Sequence, residues 1–319
     1  MKEYLEERKI FKLICGAGNQ DTAEIEKLIS VYSSAGCRFF DLSPKKEIIE
    51  AAKRGLKHSG AKDCYLCISI GTSDDIHFFK ANIDDKKCTK CEKCINHCLQ
   101  GAITKNGKNI EVNKKRCIGC RNCINNCPNN SIEMQQEEIN LNEIIKMANE
   151  CGISCIELHT TGKNKKELYP TWEKLNKEFN GNLSICIAQN KLGQEKIIKR
   201  ISKLINKIPP YKAIIQADGI AMSGKEDSYN STLQAISIAQ IFNKANLPAY
   251  LIVSGGTNSK TSELAKMCDI KLDGVAIGSY ARKIVKEFIN AEDFLNDKKS
   301  YDNAVNVARN LIEQIEKNL

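Results

Sequence analysis

The sequence predicts an α/β protein: a (β/α)8 TIM-like barrel with a small cysteine-rich module inserted after its third strand. Three observations carry this expectation. Eight short apolar runs alternate with longer segments at helical spacing, the pattern of parallel βαβ units. A compact block, Ala81–Gln136, holds eight of the 16 cysteines, between Cys88 and Cys127. Removing that block leaves 263 of 319 residues, near the roughly 250 of such a barrel. The expected organisation is 1–80 for the first part of the barrel, 81–136 for the insert and 137–319 for the remainder with a C-terminal helix.

The strand candidates are FKLIC (11–15), CRFFDL (37–42), CYLCISI (64–70), CIELHT (155–160), LSICIA (183–188), KAIIQAD (212–218), AYLIVSG (249–255) and GVAIGS (274–279). Between them, DTAEIEKLISVYSSAG reads as a helix that Asp21-Thr22 would start and Gly36 would end. NSTLQAISIAQIFNKAN and TSELAKMC have the same character, and Tyr301–Leu319 reads as an extra helix packed outside. An open doubly wound sheet is the competing arrangement of the same elements.

Composition narrows the function classes. Hydrophobic residues at 42% and charged residues at 27% suit a globular chain with a real core. Aromatics at 6% are thin for stacking bases, and no basic stripe interleaves with them. No apolar run reaches the 18 residues of a spanning helix. The start, MKEYLEERKIFKLICG, carries charges where a signal peptide is apolar, so the chain is expected to be cytoplasmic. The formal charge is +9. It reflects abundant Lys, which an AT-rich genome would favour together with Asn and Ile.

The clustered cysteines form an internal repeat. CTKCEKCINHCLQGAI begins at Cys88 and CIGCRNCINNCPNNSI at Cys117. Both read C-x2-C-x2-C-I-N-x-C-x4-[AS]-I. Three cysteines two residues apart wrap a tight loop whose thiolates converge on corners of an iron–sulfur cubane. The fourth ligand comes from the other motif. Cys88, Cys91, Cys94 and Cys127 are therefore expected to hold one [4Fe–4S] cluster, and Cys117, Cys120, Cys123 and Cys98 the second. Two such clusters would lower the net charge to roughly +5. Paired zinc sites are the alternative, but those more often separate two CxxC pairs or mix in histidine. Pro128 follows the last cysteine, whereas Leu99 stands at the matching place in the first motif. Between the motifs, two apolar runs around Asn106-Gly107 signal a hairpin. The block resembles the two-cluster bacterial ferredoxin module.

Ligands of such barrels bind at the C-terminal ends of the strands. Asp41, Glu157, His159, Gln216 and Asp218 lie there, the last followed by GIAMSG. Residues two apart on a strand share a face. Mutual satisfaction within the barrel layers is the plainer role for any one of them. The seventh and eighth strands end in VSGGTNS and AIGSYARK. Gly255, Gly256, Gly278 and Ser279 are candidates for binding a phosphate, through close backbone approach and a helix N-terminus. Tight βα turns are the alternative use of those glycines. A flavin mononucleotide or another phosphate-containing ligand is the expected occupant, since a flavin converts one-electron to two-electron transfer. No catalytic residue is assigned.

The remaining cysteines are expected to be buried thiols: Cys15, Cys37, Cys151, Cys155, Cys186, Cys268 and the pair Cys64/Cys67, whose side chains face opposite ways. Trp172 is expected to pack. His77 lies in SDDIHFFKANID, leading into the insert.

LICGAGNQD, DIHFFKA, the paired cysteine runs, IELHT, QADGIAMSG, SGGTNS and GSYARK, in that order from about Lys12 to Arg282, resemble the LdpA family. These are the cyanobacterial light-dependent-period iron–sulfur proteins. The resemblance implies a redox-active protein that reads photosynthetic electron flow and adjusts circadian period. It also implies a redox carrier as donor (a quinone or a ferredoxin-like protein), and clock partners such as KaiA and histidine kinases. It supplies no catalytic residue, and only the eight cysteines carry over. Two expectations follow: a redox sensor, or an oxidoreductase with a flavin or phosphorylated ligand at the barrel mouth.

Overall fold

The structure is a computed structural model that describes residues 1–73, 79–98, 100–136, 140–188, 193–219, 227–291 and 293–319. Strands β1 (Ile10–Ile14), β2 (Phe39–Leu42) and β3 (Tyr65–Gly71) open a barrel. β4 (Phe79–Ile83), β5 (Ile103–Asn106), β6 (Asn109–Val112) and β7 (Ile132–Gln136) build the insert. β8 (Cys155–Thr160), β9 (Asn182–Ala188), β10 (Ala213–Asp218), β11 (Tyr250–Ser254) and β12 (Gly274–Ile277) complete the barrel. The helices are α1 (Lys2–Glu6), α2 (Thr22–Ser34), α3 (Lys46–Ser59), α4 (Lys93–Asn96), α5 (Asn122–Asn125), α6 (Leu141–Glu150), α7 (Lys165–Glu178), α8 (Gln194–Ile205), α9 (Tyr229–Ala245), α10 (Thr261–Met267), α11 (Ser279–Ile289) and α12 (Lys298–Glu316).

The eight barrel strands pair in parallel, and β1 closes the ring against β12 with Phe11 beside Val275. All eight expected strands are present, so the open sheet is excluded. Side-chain alternation sorts each strand into two faces. In β1, Phe11 and Leu13 point into the apolar layer under the helices, while Ile10 and Lys12 point inward. The floor of the interior is apolar: Ile10, Phe39, Cys67, Cys155, Ile214 and Ile252, sealed by Leu5 of α1.

Helix boundaries follow the expected signals. The Asp21 carboxylate accepts the Glu24 amide at the start of α2, and Gly36 turns the chain out at φ 115°. Trp172 is fully buried under α8, its Nε1 donating to Leu204 O at 3.2 Å.

In the insert, β4 and β7 pair antiparallel from Phe79/Gln136 to Ile83/Ile132, and β5–β6 form the hairpin. Its turn residues are Gly107 and Lys108, with Asn106 paired to Asn109, one position later than the Asn-Gly signal suggests. The sequence repeat is also a backbone repeat. Lys90 and Glu92 (φ 58° and 60°) match Gly119 and Arg121 (φ 73° and 60°), all left-handed. Each pair bends its cysteine loop back on itself ahead of α4 or α5.

The insert sits on the C-terminal mouth of the barrel. Buried Lys80 donates to Gly18 O and Cys117 O, both at 2.6 Å, tying β4, the β1–α2 loop and the second cysteine loop together. The Gln20 amide donates to Lys115 O, Arg116 pairs with Asp21 at 2.8 Å, and Arg282 donates to Gln100 Oε1 at 3.1 Å.

Three thiols depart from expectation. Cys268 is exposed just past the end of α10, and Cys151 is half-buried at the cap of α6. Cys64 is half-buried and precedes β3 rather than lying in it. All three sit at element ends, where an apolar neighbourhood in sequence does not guarantee a covering layer. Cys15, Cys37, Cys67, Cys155 and Cys186 are buried. His77, Leu99 and most of GIAMSG lie outside the described residues. No helix among the described residues is long and apolar enough to cross a membrane.

Candidate functional site

The cysteine loops bring eight thiols into two groups. Cys88, Cys91, Cys94 and Cys127 line one small cavity with Ile83, Ile110 and Ile132. Cys98, Cys117, Cys120 and Cys123 line another with Ala81, Ile103 and Met134. Each group takes three cysteines from one motif and one from the other, the division expected from the spacing. Backbone amides already point at the sulfurs: Ala81 N to Cys117 Sγ at 3.3 Å, Ala102 N to Cys98 Sγ at 3.2 Å, Ser131 N to Cys127 Sγ at 3.4 Å. No disulfide forms among the described cysteines. Four converging thiols, an apolar shell and amide donors to sulfur are the donor set that an iron–sulfur cluster requires.

The groups differ in setting. The first faces outward, with Cys91 exposed. The second faces the barrel: Ile118, between Cys117 and Cys120, lines both its cavity and the cavity at the barrel mouth.

Beneath the mouth is a charged network that the sequence reading only half saw. Lys12, in the middle of β1, is fully buried, as is Glu157, and their Nζ and Oε2 lie 2.6 Å apart. Glu157 Oε2 also accepts from Ser184 at 2.7 Å, and Oε1 from Gln216 at 2.8 Å and His159 at 3.0 Å. Lys12 donates as well to Gln216 Oε1 at 3.0 Å. Burial opposes ionisation of Glu157. The Lys12 ammonium and the His159 bond outweigh that and hold the carboxyl well below its ordinary range. Burial likewise opposes the charge on Lys12, but Glu157 reverses this and keeps it an ammonium. Lys12 is thus a counter-ion rather than a nucleophile.

Ligand atoms of Glu157, His159 and Cys186 lie within 4.8 Å of one another. Both Glu157 oxygens already have donors, and burial pushes the Cys186 thiol up to about 12. Gln216 also donates to the Cys186 sulfur at 3.4 Å, so all three residues are tied into the hydrogen-bonded network. Sequence reasoning placed Glu157, His159 and Gln216 together correctly and missed Lys12. The available signal was a lone lysine inside an otherwise apolar strand.

Above the network, Asp41, His159, Gln216, Asp218, Ser254, Gly255, Gly256, Gly278, Ser279 and Arg282 surround a cavity of about 80 Å³. All four residues expected at a phosphate site are on its wall. Gly255 and Gly256 adopt φ of 73° and 83°, and α11 begins at Ser279. Asp41 Oδ1 accepts from Ser69 at 2.6 Å, but its buried Oδ2 has no partner. Burial first, then the Glu157 charge, raise the Asp41 carboxyl against the pull of Lys12. Two neighbouring carboxyls thus have oppositely shifted affinities for a proton.

A family profile described as Light dependent period A C-terminal domain matches residues 147–316, more than half of the chain. The chain belongs to the light dependent period A family. A second profile, a 4Fe-4S dicluster domain, matches residues 81–134, so this family member is an iron–sulfur protein. Its sequence is similar to Light dependent period A of Synechococcus elongatus, 29% identical over 88% of this chain and 82% of that one. In fold it resembles a Coccidioides immitis protein provisionally assigned as a fructose-1,6-biphosphate aldolase. That match has a TM-score of 0.50 and 12% identity, covering 98% of this chain and 91% of the other. The tryptophan synthase alpha subunit of Legionella pneumophila gives a TM-score of 0.49, 14% identity and 98% coverage of both chains.

Proposed function

We propose that this family member is a redox sensor that relays the state of electron transport to a light-dependent circadian timing system. Two [4Fe–4S] clusters would be held by Cys88, Cys91, Cys94 and Cys127, and by Cys117, Cys120, Cys123 and Cys98. When bound, such clusters exchange single electrons with a carrier, either a quinone or a ferredoxin-like donor.

The observation that carries the reading is the bridge at Lys80 and Ile118. A buried ammonium spans the second cysteine loop and the barrel loop at Gly18. A change of charge in that loop therefore falls on a cation that holds the insert to the barrel, where little water screens it. The exposed first group offers the entry point for electrons. The second group offers the route by which their arrival alters barrel contacts. KaiA and histidine kinases are the partners that family membership suggests.

The second expectation, an oxidoreductase acting at the barrel mouth, draws on the buried polar wall around Asp41 and Arg282. The flavin draws no support from the comparisons. The cavity at the mouth measures about 80 Å³, and Ile118, Ser279 and Arg282 also line a neighbouring one of about 670 Å³. A compact phosphate-bearing ligand would suit the smaller of the two, next to Asp41.

The test is a cyanobacterial strain whose own family member is replaced by this chain, with free-running period followed across light intensities. The sensor reading expects intensity-dependent period with the intact chain and loss of that dependence with Cys91→Ser or Cys117→Ser. Unchanged dependence in both variants would overturn it.

A further inference from the structure

We propose that the barrel mouth binds a short polyol phosphomonoester, its phosphate against Arg282 and its hydroxyls against Asp41. Arg282 is 9% exposed, yet its buried Nε has no partner. A buried guanidinium N–H without an acceptor is costly unless a ligand supplies one. Its Nη1 already donates to Gln100, and the buried Nε remains as an unmatched donor for an anion. Arg282 lies in the first turn of α11, an 11-residue helix whose N-terminal amides favour negative charge at the same place.

Across the cavity, Asp41 is 1% exposed with Oδ2 unpartnered. That atom suits a hydroxyl and not a second anion, so the two ends of the cavity ask for different chemistry. Asp218 is engaged by Ser254 at 2.7 Å, and Gln216 and His159 by Glu157. The space around Asp41 measures about 80 Å³, and Ile118, Ser279 and Arg282 on its wall also line a neighbouring cavity of about 670 Å³, so a short phosphomonoester reaches both Arg282 and Asp41 without filling the larger space.

Gly255 is fixed for the same architecture. A Cβ there would meet Asp218 Oδ1 and Gly219 N at 2.5 Å, so the loop must keep its backbone bare to pass behind Asp218. Ile118 closes the cavity from the insert side, placing the ligand next to the second cysteine loop. The inference itself rests on barrel side chains and stands apart from the sensor reading.

Calorimetric titration of the anaerobically purified protein with glycerol 3-phosphate, inorganic phosphate and glycerol tests it, with iron measured on the same sample. Glycerol 3-phosphate should bind saturably, inorganic phosphate more weakly and glycerol not at all. Arg282→Lys, which keeps a cation but removes Nε, should weaken glycerol 3-phosphate about tenfold or more. Asp41→Leu should erase its advantage over inorganic phosphate, and keeps the proposal testable if Arg282→Lys does not fold. Absence of saturable binding by the intact protein, glycerol binding as tightly as its phosphate, or unchanged affinity in Arg282→Lys would each overturn the assignment.

Discussion

Lys12 Nζ and Glu157 Oε2 meet at 2.6 Å in the centre of the barrel, both side chains fully buried. They lie on β1 and β8, which β2 and β3 separate in the ring, so the pair ties together strands that share no backbone hydrogen bonds. Removing one partner leaves the other charged and dry. Lys12→Met or Glu157→Gln should each cost about 3–5 kcal/mol, and the double variant much less than the sum. Denaturant unfolding of the four proteins reads this directly. Additive losses would mean that the two side chains are stabilised separately.

The two neighbouring carboxyls give opposite dependence on pH. Glu157 is depressed from 4.5, so its contribution is full above that value and is lost as pH falls through the folded value. Asp41 is raised from 3.8, so its contribution is present below that value and is lost as pH rises through the folded one. Once ionised, the half-partnered Asp41 is a burden. Asp41→Asn should stabilise the protein more at high pH than at low pH, with the gain shrinking toward pH 4. Melting curves at pH 8, 6 and 4 check the trend. A gain that grows on acidification would reverse the sign assigned to Asp41.

How much of this was legible beforehand depends on whether a residue's role is set by local or by long-range order. The barrel strands were readable because each is a short apolar run between capped helices. The cysteine grouping was readable because the repeat itself dictates which thiols are brought together. Lys12 was not, because its partner Glu157 lies 145 positions away and only ring closure brings them together. Lys80 was hidden likewise: it reads as a surface lysine until the insert folds back onto Gly18. Cys268 failed in the other direction, since its apolar neighbours face a core that stops short of the helix end.

Cys117→Ser should remove the second cluster and leave most of the first, because the four thiols facing Ile83 and Ile110 do not include it. Iron should fall from about eight atoms toward about four, measured with acid-labile sulfide on anaerobic protein. Cys91→Ser should do the converse. Equal loss of both clusters in either variant would show that the insert folds only as one unit, and zinc in place of iron would end the redox reading.

Lys80→Met should loosen the insert without touching any cysteine. Its ammonium makes 2.6 Å bonds to Gly18 O and Cys117 O, and hydrogen bonds to a charged group contribute about 1.5–3 kcal/mol each. The remaining ties are the Gln20 amide to Lys115 O, the single bond from Arg282 to Gln100, and Arg116–Asp21, which is more exposed and worth less. Hydrogen exchange should therefore accelerate in residues 16–20 and 115–120 while the barrel floor around Ile10 and Ile214 keeps its protection. If the second cluster shields the Cys117 carbonyl on its own, residues 115–120 will exchange at the wild-type rate. The linkage between insert and barrel would then have to run through the Gln20, Arg116 and Arg282 contacts instead.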